Sequence, residues 1–111
     1  MVLCAANSYT QKFYLGEQFS RLPKAIKEEL KILCVIHVEE VGGVLVLEFD
    51  EDGNLDFRVE AEDADYLFDE IGSALKIKQL HQERQELWES LELFYRSVFL
   101  AQEKTEGNAW Q

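Results

Sequence analysis

The sequence predicts an α+β fold: two antiparallel β-hairpins and two helices in the order ββαββα, with the helices on one face of the sheet and the last helix long. Three observations carry that expectation. Leu45, Leu47 and Phe49 alternate with Val46, Glu48 and Asp50, and after Asp52-Gly53 the residues Leu55, Phe57, Val59 and Ala61 alternate with Asp56, Arg58 and Glu60. That period of two belongs to a hairpin with one buried face. Ile26, Leu30, Leu33, Cys34, His37 and Val41 recur instead at three- and four-residue steps between Pro23 and Gly42-Gly43, the spacing of one helical face. Finally, Ile77, Leu80, Leu87, Leu91, Phe94, Val98 and Ala101 form a stripe of the same helical period.

The elements follow in order. Val2-Leu3-Cys4-Ala5 and Phe13-Tyr14-Leu15 flank the polar Asn7-Ser8, which predicts a short hairpin. Pro23 has the fixed backbone angle of a first helical turn and pushes Leu22 out of the helical region. Gly42-Gly43 supplies the stop, because only glycine enters the left-handed cap conformation cheaply. Ile32 to Val38 is rich in β-branched residues and reads as a strand when taken alone; the four-residue spacing favours helix.

In the second hairpin, directly opposed residues must share a face, so Phe49 cannot oppose Asp56. A three-residue loop of Glu51, Asp52 and Gly53 puts Gly53 at the left-handed position and Phe49 opposite Leu55. It also sets Glu48 opposite Asp56, an unfavourable pair. The last third reads as helix, capped by Asp63 or Asp65, with Leu67, Phe68, Ile71, Ala74 and Leu75 as its first apolar face. Gly72-Ser73 marks a bend or close contact. Unbroken, this helix is up to about 35 residues, roughly 50 Å. Residues 1–101 are expected to form one domain and residues 102–111 a solvated tail.

Of 111 residues 47% are apolar and 30% charged, and the formal net charge is −11. Such a surface has no counterions to release to nucleic acid or an anionic membrane, which argues against both as partners. No basic lead with a long apolar core opens the chain, and its longest internal apolar run is Ile32 to Ile36. A soluble cytoplasmic protein is expected, with Cys4 and Cys34 as thiols.

The charge is unevenly placed. Between Glu48 and Glu70 stand eleven acids and a single base, Arg58. Asp63, Asp65 and Asp69 complement a helix start, but Glu48, Asp50, Asp56 and Glu60 share an outward strand face without such a reason. The bland reading of that face is solubility and edge protection; the functional one is a docking surface for a basic protein or a divalent cation.

Motifs for chemistry are weak. Asp50 to Asn54 begins like a calcium loop, but its sixth and twelfth positions are Leu55 and Ala61, where such a loop needs Gly and Glu. Cys34 and His37 supply half a zinc site, with only Cys4 and His81 to complete it. Gly72-Ser73-Ala74 is no nucleophile elbow, and Gly42-Gly43 is no phosphate cradle. No cofactor or metal site is expected, and a non-enzymatic protein is favoured over an enzyme. The rival reading is a small-molecule or metal-binding protein with a pocket near Asp69, Glu70 and Ser73. A helix that outreaches its sheet also suggests a homodimer, contacting through Trp88, Tyr95 and Phe99.

Leu3-Cys4-Ala5-Ala6-Asn7-Ser8-Tyr9, Leu22-Pro23 with Ile26-Lys27, Glu29-Leu30-Lys31-Ile32, Val41-Gly42-Gly43, Phe49-Asp50-Glu51-Asp52-Gly53-Asn54-Leu55 and Asp69-Glu70-Ile71-Gly72-Ser73 together resemble a family of small bacterial proteins labelled only as of unknown function. The likeness spans roughly Val2 to Leu100. It implies a cytoplasmic single-domain protein and brings no activity, ligand or site residue. The best expectation is an interaction module whose acidic hairpin face docks a basic protein.

Overall fold

The computed structural model describes residues 1–101; the expected solvated tail, 102–111, lies outside the described residues. A four-stranded antiparallel sheet is built from β1 (Val2–Asn7), β2 (Lys12–Leu15), β3 (Val44–Phe49) and β4 (Leu55–Glu60), in the order β2-β1-β3-β4. Helix α1 (Lys24–Val41) joins the two hairpins, and α2 (Glu70–Glu83) and α3 (Gln85–Tyr95) follow them. The fold is α+β, as the alternating and helical patterns predict.

Register follows the face argument. Phe49 opposes Leu55, Leu47 opposes Phe57 and Glu48 opposes Asp56. The turn closes with the Asp50 N–H donating to the Asn54 carbonyl at 2.9 Å, and Gly53 adopts φ +84°. Across β1, Cys4 opposes Leu47 and Ala6 opposes Leu45, with an irregularity in register between Val2 and Cys4. These side chains share one face, and Leu3, Cys4, Leu45, Leu47 and Phe49 are all buried.

Helix α1 covers the inner face through Leu30, Cys34, His37 and Val38, so residues 32–38 are helix. Pro23 sits one residue earlier than expected, as the N-cap with ψ 143°. Gly42 and Gly43 both take positive φ and end the helix. Gly43 has a second constraint: a Cβ there would lie 2.9 Å from the Phe68 ring.

The last third departs from the sequence expectation. Neither Asp63 nor Asp65 starts a helix; residues 61–68 form an irregular connector, and Asp69 is the N-cap of α2, accepting from the Gly72 N–H at 2.8 Å. The supposed first apolar face is not buried. Leu67 is 96% exposed, Ile71 76% and Leu75 64%, and only Phe68 of that set turns inward, towards Gly43.

Nor is the helix one long rod. It breaks at Arg84, the charged interruption of the stripe, with φ −123°, while Gly72-Ser73 runs unbroken through the first turn of α2. Two contacts accompany the break. The Trp88 indole N–H donates to the Leu80 carbonyl at 3.1 Å, and the Arg84 guanidinium reaches Glu29 on α1 at 3.3 Å. Helix α3 folds back over the sheet and Trp88 packs edge-on against Phe57, centroids 5.0 Å apart. A π-helical turn, Arg96–Leu100, continues α3.

Aromatic packing closes the end of the core near the β3–β4 turn. Tyr95 stacks on Phe49 at 4.3 Å and on Phe99 at 5.1 Å, and Phe19 joins from the 3-10 turn Glu17–Phe19. The expectation that Trp88 and Tyr95 are dimer contacts is therefore corrected: both are buried within their own chain, and Phe99 is half-buried against Tyr95. A bulky ring inside a core has no area left for a second subunit. Among the described residues no helix is long and apolar enough to cross a membrane.

Candidate functional site

Three surfaces contain the residues singled out by sequence. On the outer face of the β3–β4 hairpin, Arg58 stands between Glu48 and Glu60. Its Nε donates to Glu48 at 2.9 Å, and its other arm pairs with Glu60. Two of the four expected docking carboxylates are thus held by the one base in the segment. Asp50 is turned into its own loop, accepting from the Asp52 and Asn54 N–H groups at 2.9 Å each, and the Asn54 bond leads the causes that hold its carboxyl below the usual range. Only the exposed Asp56 carboxylate makes no hydrogen bond or ion pair among the described residues.

The hairpin tip is also covered from behind. Arg96 donates from Nε to the Asp52 carbonyl at 3.1 Å and from an Nη to Asn54 Oδ1 at 2.7 Å. Glu92 accepts the Leu55 N–H at 2.8 Å. Sequence reasoning missed both residues, since their partners lie about forty positions away and long-range hydrogen bonds leave no periodic signal. The expected isolated acidic β-face is therefore corrected to a face on which self-pairing absorbs half the carboxylates.

Besides Asp56, and Glu51 and Asp52 at the hairpin tip, further unpaired acids lie in the connector and at the start of α2. Glu62, Asp63 and Glu70 are exposed, and no partner to their carboxylates is present among the described residues. Asp65 is engaged: Tyr9 donates its hydroxyl to Asp65 at 2.6 Å and accepts from the Glu62 N–H at 3.1 Å. The carboxylate beside it raises the Tyr9 pKa. This bridge ties the connector to the β1–β2 turn.

Asp69, Glu70 and Ser73 do not converge, so the expected pocket is corrected as well. Asp69 and Glu70 line an open depression of about 500 Å³ with Glu62, Asp63 and Asp65. Ser73 points the other way, 2% exposed, with Oγ 3.5 Å from Nε2 of His37. Asp69 is the N-cap and Glu70 the first residue of α2, at its open end, whereas Ser73 lies on the buried side of the helix, against α1.

The third surface is the seam between α1 and α2. Leu33, Ile36, His37, Lys76, Gln79, Leu80 and Glu83 enclose about 150 Å³. Lys76 pairs with Glu40, and Gln79 donates to Glu83 at 2.8 Å. His37 is 2% exposed, and its Nδ1 has no hydrogen-bond partner among the described residues. Burial first, and then the Lys76 charge, push its pKa below the ordinary 6.5, so the ring is neutral at pH 7.

With this geometry in view, the comparison with known families is decisive on one point: residues 1–104 match the model of a family of unknown function, DUF6145. The chain belongs to DUF6145. No curated protein and no solved structure matches it. The family resemblance read from sequence is thereby established, and membership carries no activity or site residue with it.

The half zinc site of this DUF6145 chain is not assembled. Cys34 faces Cys4, sulfur to sulfur 3.9 Å, whereas His37 faces Ser73 and His81 lies against the Phe57 ring. Among the described residues no three His, Cys, Asp or Glu side chains gather as a metal-binding group. Both thiols are wholly buried, and the neighbouring Cys34 and burial push the Cys4 thiol far up. The Cys4 sulfur lacks the thiolate character, and both sulfurs lack the access, that nucleophilic chemistry needs.

Proposed function

We propose that this DUF6145 protein is a non-enzymatic interaction module that binds a basic protein partner through its acidic side. The observation that supports it most is the set of exposed, unpaired carboxylates, Asp56, Glu62, Asp63 and Glu70, in a stretch where Arg58 is the only base. Like charges held together on a folded surface repel one another, and an approaching cationic surface relieves that repulsion. The docking surface is thus taken to extend beyond the hairpin face to the connector, since Arg58 offsets one of the two charges of Glu48 and Glu60. Such a partner associates by electrostatic steering, so its capture weakens as salt rises.

The test is affinity capture from the source cell with native protein and with an Asp56→Lys, Glu62→Lys, Asp63→Lys variant. The native protein should retain a basic protein that the reversed variant does not and that elutes as ionic strength rises. Equal retention by both proteins would overturn the reading.

A small-molecule site is the second reading, favoured by one observation, the unpartnered Nδ1 of buried His37 at the α1–α2 seam. A ligand there would exchange a hydrogen bond with Nδ1, donating or accepting according to the ring tautomer, and must be small enough for about 150 Å³. Nuclear magnetic resonance screening of small polar molecules, read at the His37 ring, tests it; an unmoved ring signal excludes it.

A further inference from the structure

Resting on the basic-partner reading, we infer that the partner grips an apolar ridge formed by the β4–α2 connector and the outward side of α2, and that the occupant is a protein segment with lysines or arginines flanking an apolar stripe. The ridge stands on where the large apolar side chains are left uncovered. Leu67 is 96% exposed, Tyr66 92%, Ile71 76% and Leu75 64%, four of the five most exposed large hydrophobics among the described residues. They fall within ten positions of one another. Ile71 and Leu75 lie one turn apart on α2 and so share a face. Exposure concentrated in one short segment in this way points to a contact surface, whereas apolar residues exposed singly carry no such meaning.

The ridge is held in place, which distinguishes it from a slack loop. Phe68 is seated against Gly43, Asp65 is bonded by Tyr9, and Asp69 caps α2. With those three points fixed, Tyr66 and Leu67 are turned outward by the fold itself. A surface already ordered loses little conformational freedom on binding.

Charge decides between occupants. From residue 61 to residue 75 the chain carries Glu62, Asp63, Asp65, Asp69 and Glu70 and no lysine or arginine. A second copy docked by a two-fold axis would bring this same patch against itself, opposing five acids to five. A partner with cations around its apolar stripe meets opposite charge instead. The apolar side chains then set how long the complex lasts, and the acids set how fast it forms.

The experiment titrates the full-length ¹⁵N-labelled protein with an 18-residue helical peptide of lysine and leucine arranged on opposite faces. A peptide of identical composition with the pattern scrambled is the control. Amide shifts centred on residues 62–75, with at least tenfold weaker binding by the scrambled peptide, are the expected result. The Leu67→Ser, Ile71→Ser double variant alters only exposed groups, and its amide spectrum reports that the fold is retained. It should dissociate at least tenfold faster with an unchanged salt dependence, whereas Asp63→Lys, Glu70→Lys should slow association and flatten that dependence. Shifts centred around Asp56, with the Leu67/Ile71 variant binding as the parent does, overturn the ridge and leave the basic-partner reading standing. Indifference of binding to both variants overturns both. Diffusion that slows with protein concentration, and is restored by the Leu67/Ile71 variant, assigns the ridge to a second copy and overturns the hetero-partner.

Discussion

Gly53→Ala tests how the β3–β4 turn is held, because two separate costs meet at that atom. Gly53 has φ +84°, where an L-residue loses roughly 1–2 kcal/mol to the contact between its Cβ and the carbonyl. The added methyl would also stand 2.7 Å from Arg96 Cγ and 3.2 Å from Leu100 Cδ1. Relieving such overpacking costs about 1–3 kcal/mol. Arg96 is flexible enough to swing away, but it then gives up its bonds to the Asp52 carbonyl and to Asn54 Oδ1. The total is about 3 kcal/mol, a large share of the stability of a small domain. Urea unfolding followed by circular dichroism measures it, and a double-mutant cycle with Arg96→Ala separates the parts. In the Arg96→Ala background the same substitution should cost only the backbone part, about 1–2 kcal/mol. An equal cost in both backgrounds would show that Arg96 does not cover the turn, and a neutral Gly53→Ala would refute the left-handed turn itself.

Further outcomes follow from the same geometry. Asp56→Lys replaces a like-charge cross-strand pair with Glu48 by an opposite one and should stabilise by about 0.5 kcal/mol in urea melts at low salt; destabilisation would contradict the register. His37 has a folded pKa below its unfolded 6.5, so the unfolded chain binds more protons in the interval between them. Stability should therefore be at its full value above pH 6.5 and fall as pH drops through that interval, with His37→Gln flattening the slope in thermal melts between pH 5 and 7 as the check. Cys4 and Cys34 are 0% exposed, so a small thiol reagent should modify both only at the rate of unfolding and much faster in urea; rapid labelling in native buffer would refute their burial. Trp88→Phe keeps most of the packing but removes the indole bond to Leu80, a loss of about 1 kcal/mol by thermal unfolding.

Local patterns made the first two-thirds of the fold legible. The β3–β4 alternation, the face rule and one glycine were sufficient for the register, because a half-buried hairpin has only one way to keep its apolar set inside. Helix α1 was legible for a similar reason, its caps agreeing with its period. The last third was not. Leu67, Ile71 and Leu75 have helical spacing without burial, and spacing reports a face without saying what covers it. Arg84 sat in plain sight as a charged interruption, but the contacts that accompany the break, to Glu29 and from the Trp88 indole, are set by tertiary packing. The site suffered similarly: that Glu48 and Glu60 share an outward face was readable, but Arg58 sits on that face too, and its pairing with them decides how much charge remains for a partner.

The division of labour between the two acidic regions has a physical logic. The β3–β4 turn is held by Glu92 of α3 and by Arg96 of the π-helical turn after it, so charges placed there act on the folding of the sheet, where repulsion is costly and is partly offset by Arg58. The connector contributes Phe68 to the packing and little else that is apolar, leaving Tyr66 and Leu67 outside. Segments with few buried contacts contribute least to global stability, so uncompensated charge and exposed apolar surface are cheapest there. A sticky, acidic surface costs least where the fold depends on it least, and the proposed cationic partner would meet opposite charge there. The same reasoning predicts that substitutions at Leu67 or Glu62 leave the unfolding midpoint within the error of measurement, whereas substitutions at Phe68 lower it. A destabilised Leu67→Ser would place that side chain in the core and remove the ridge.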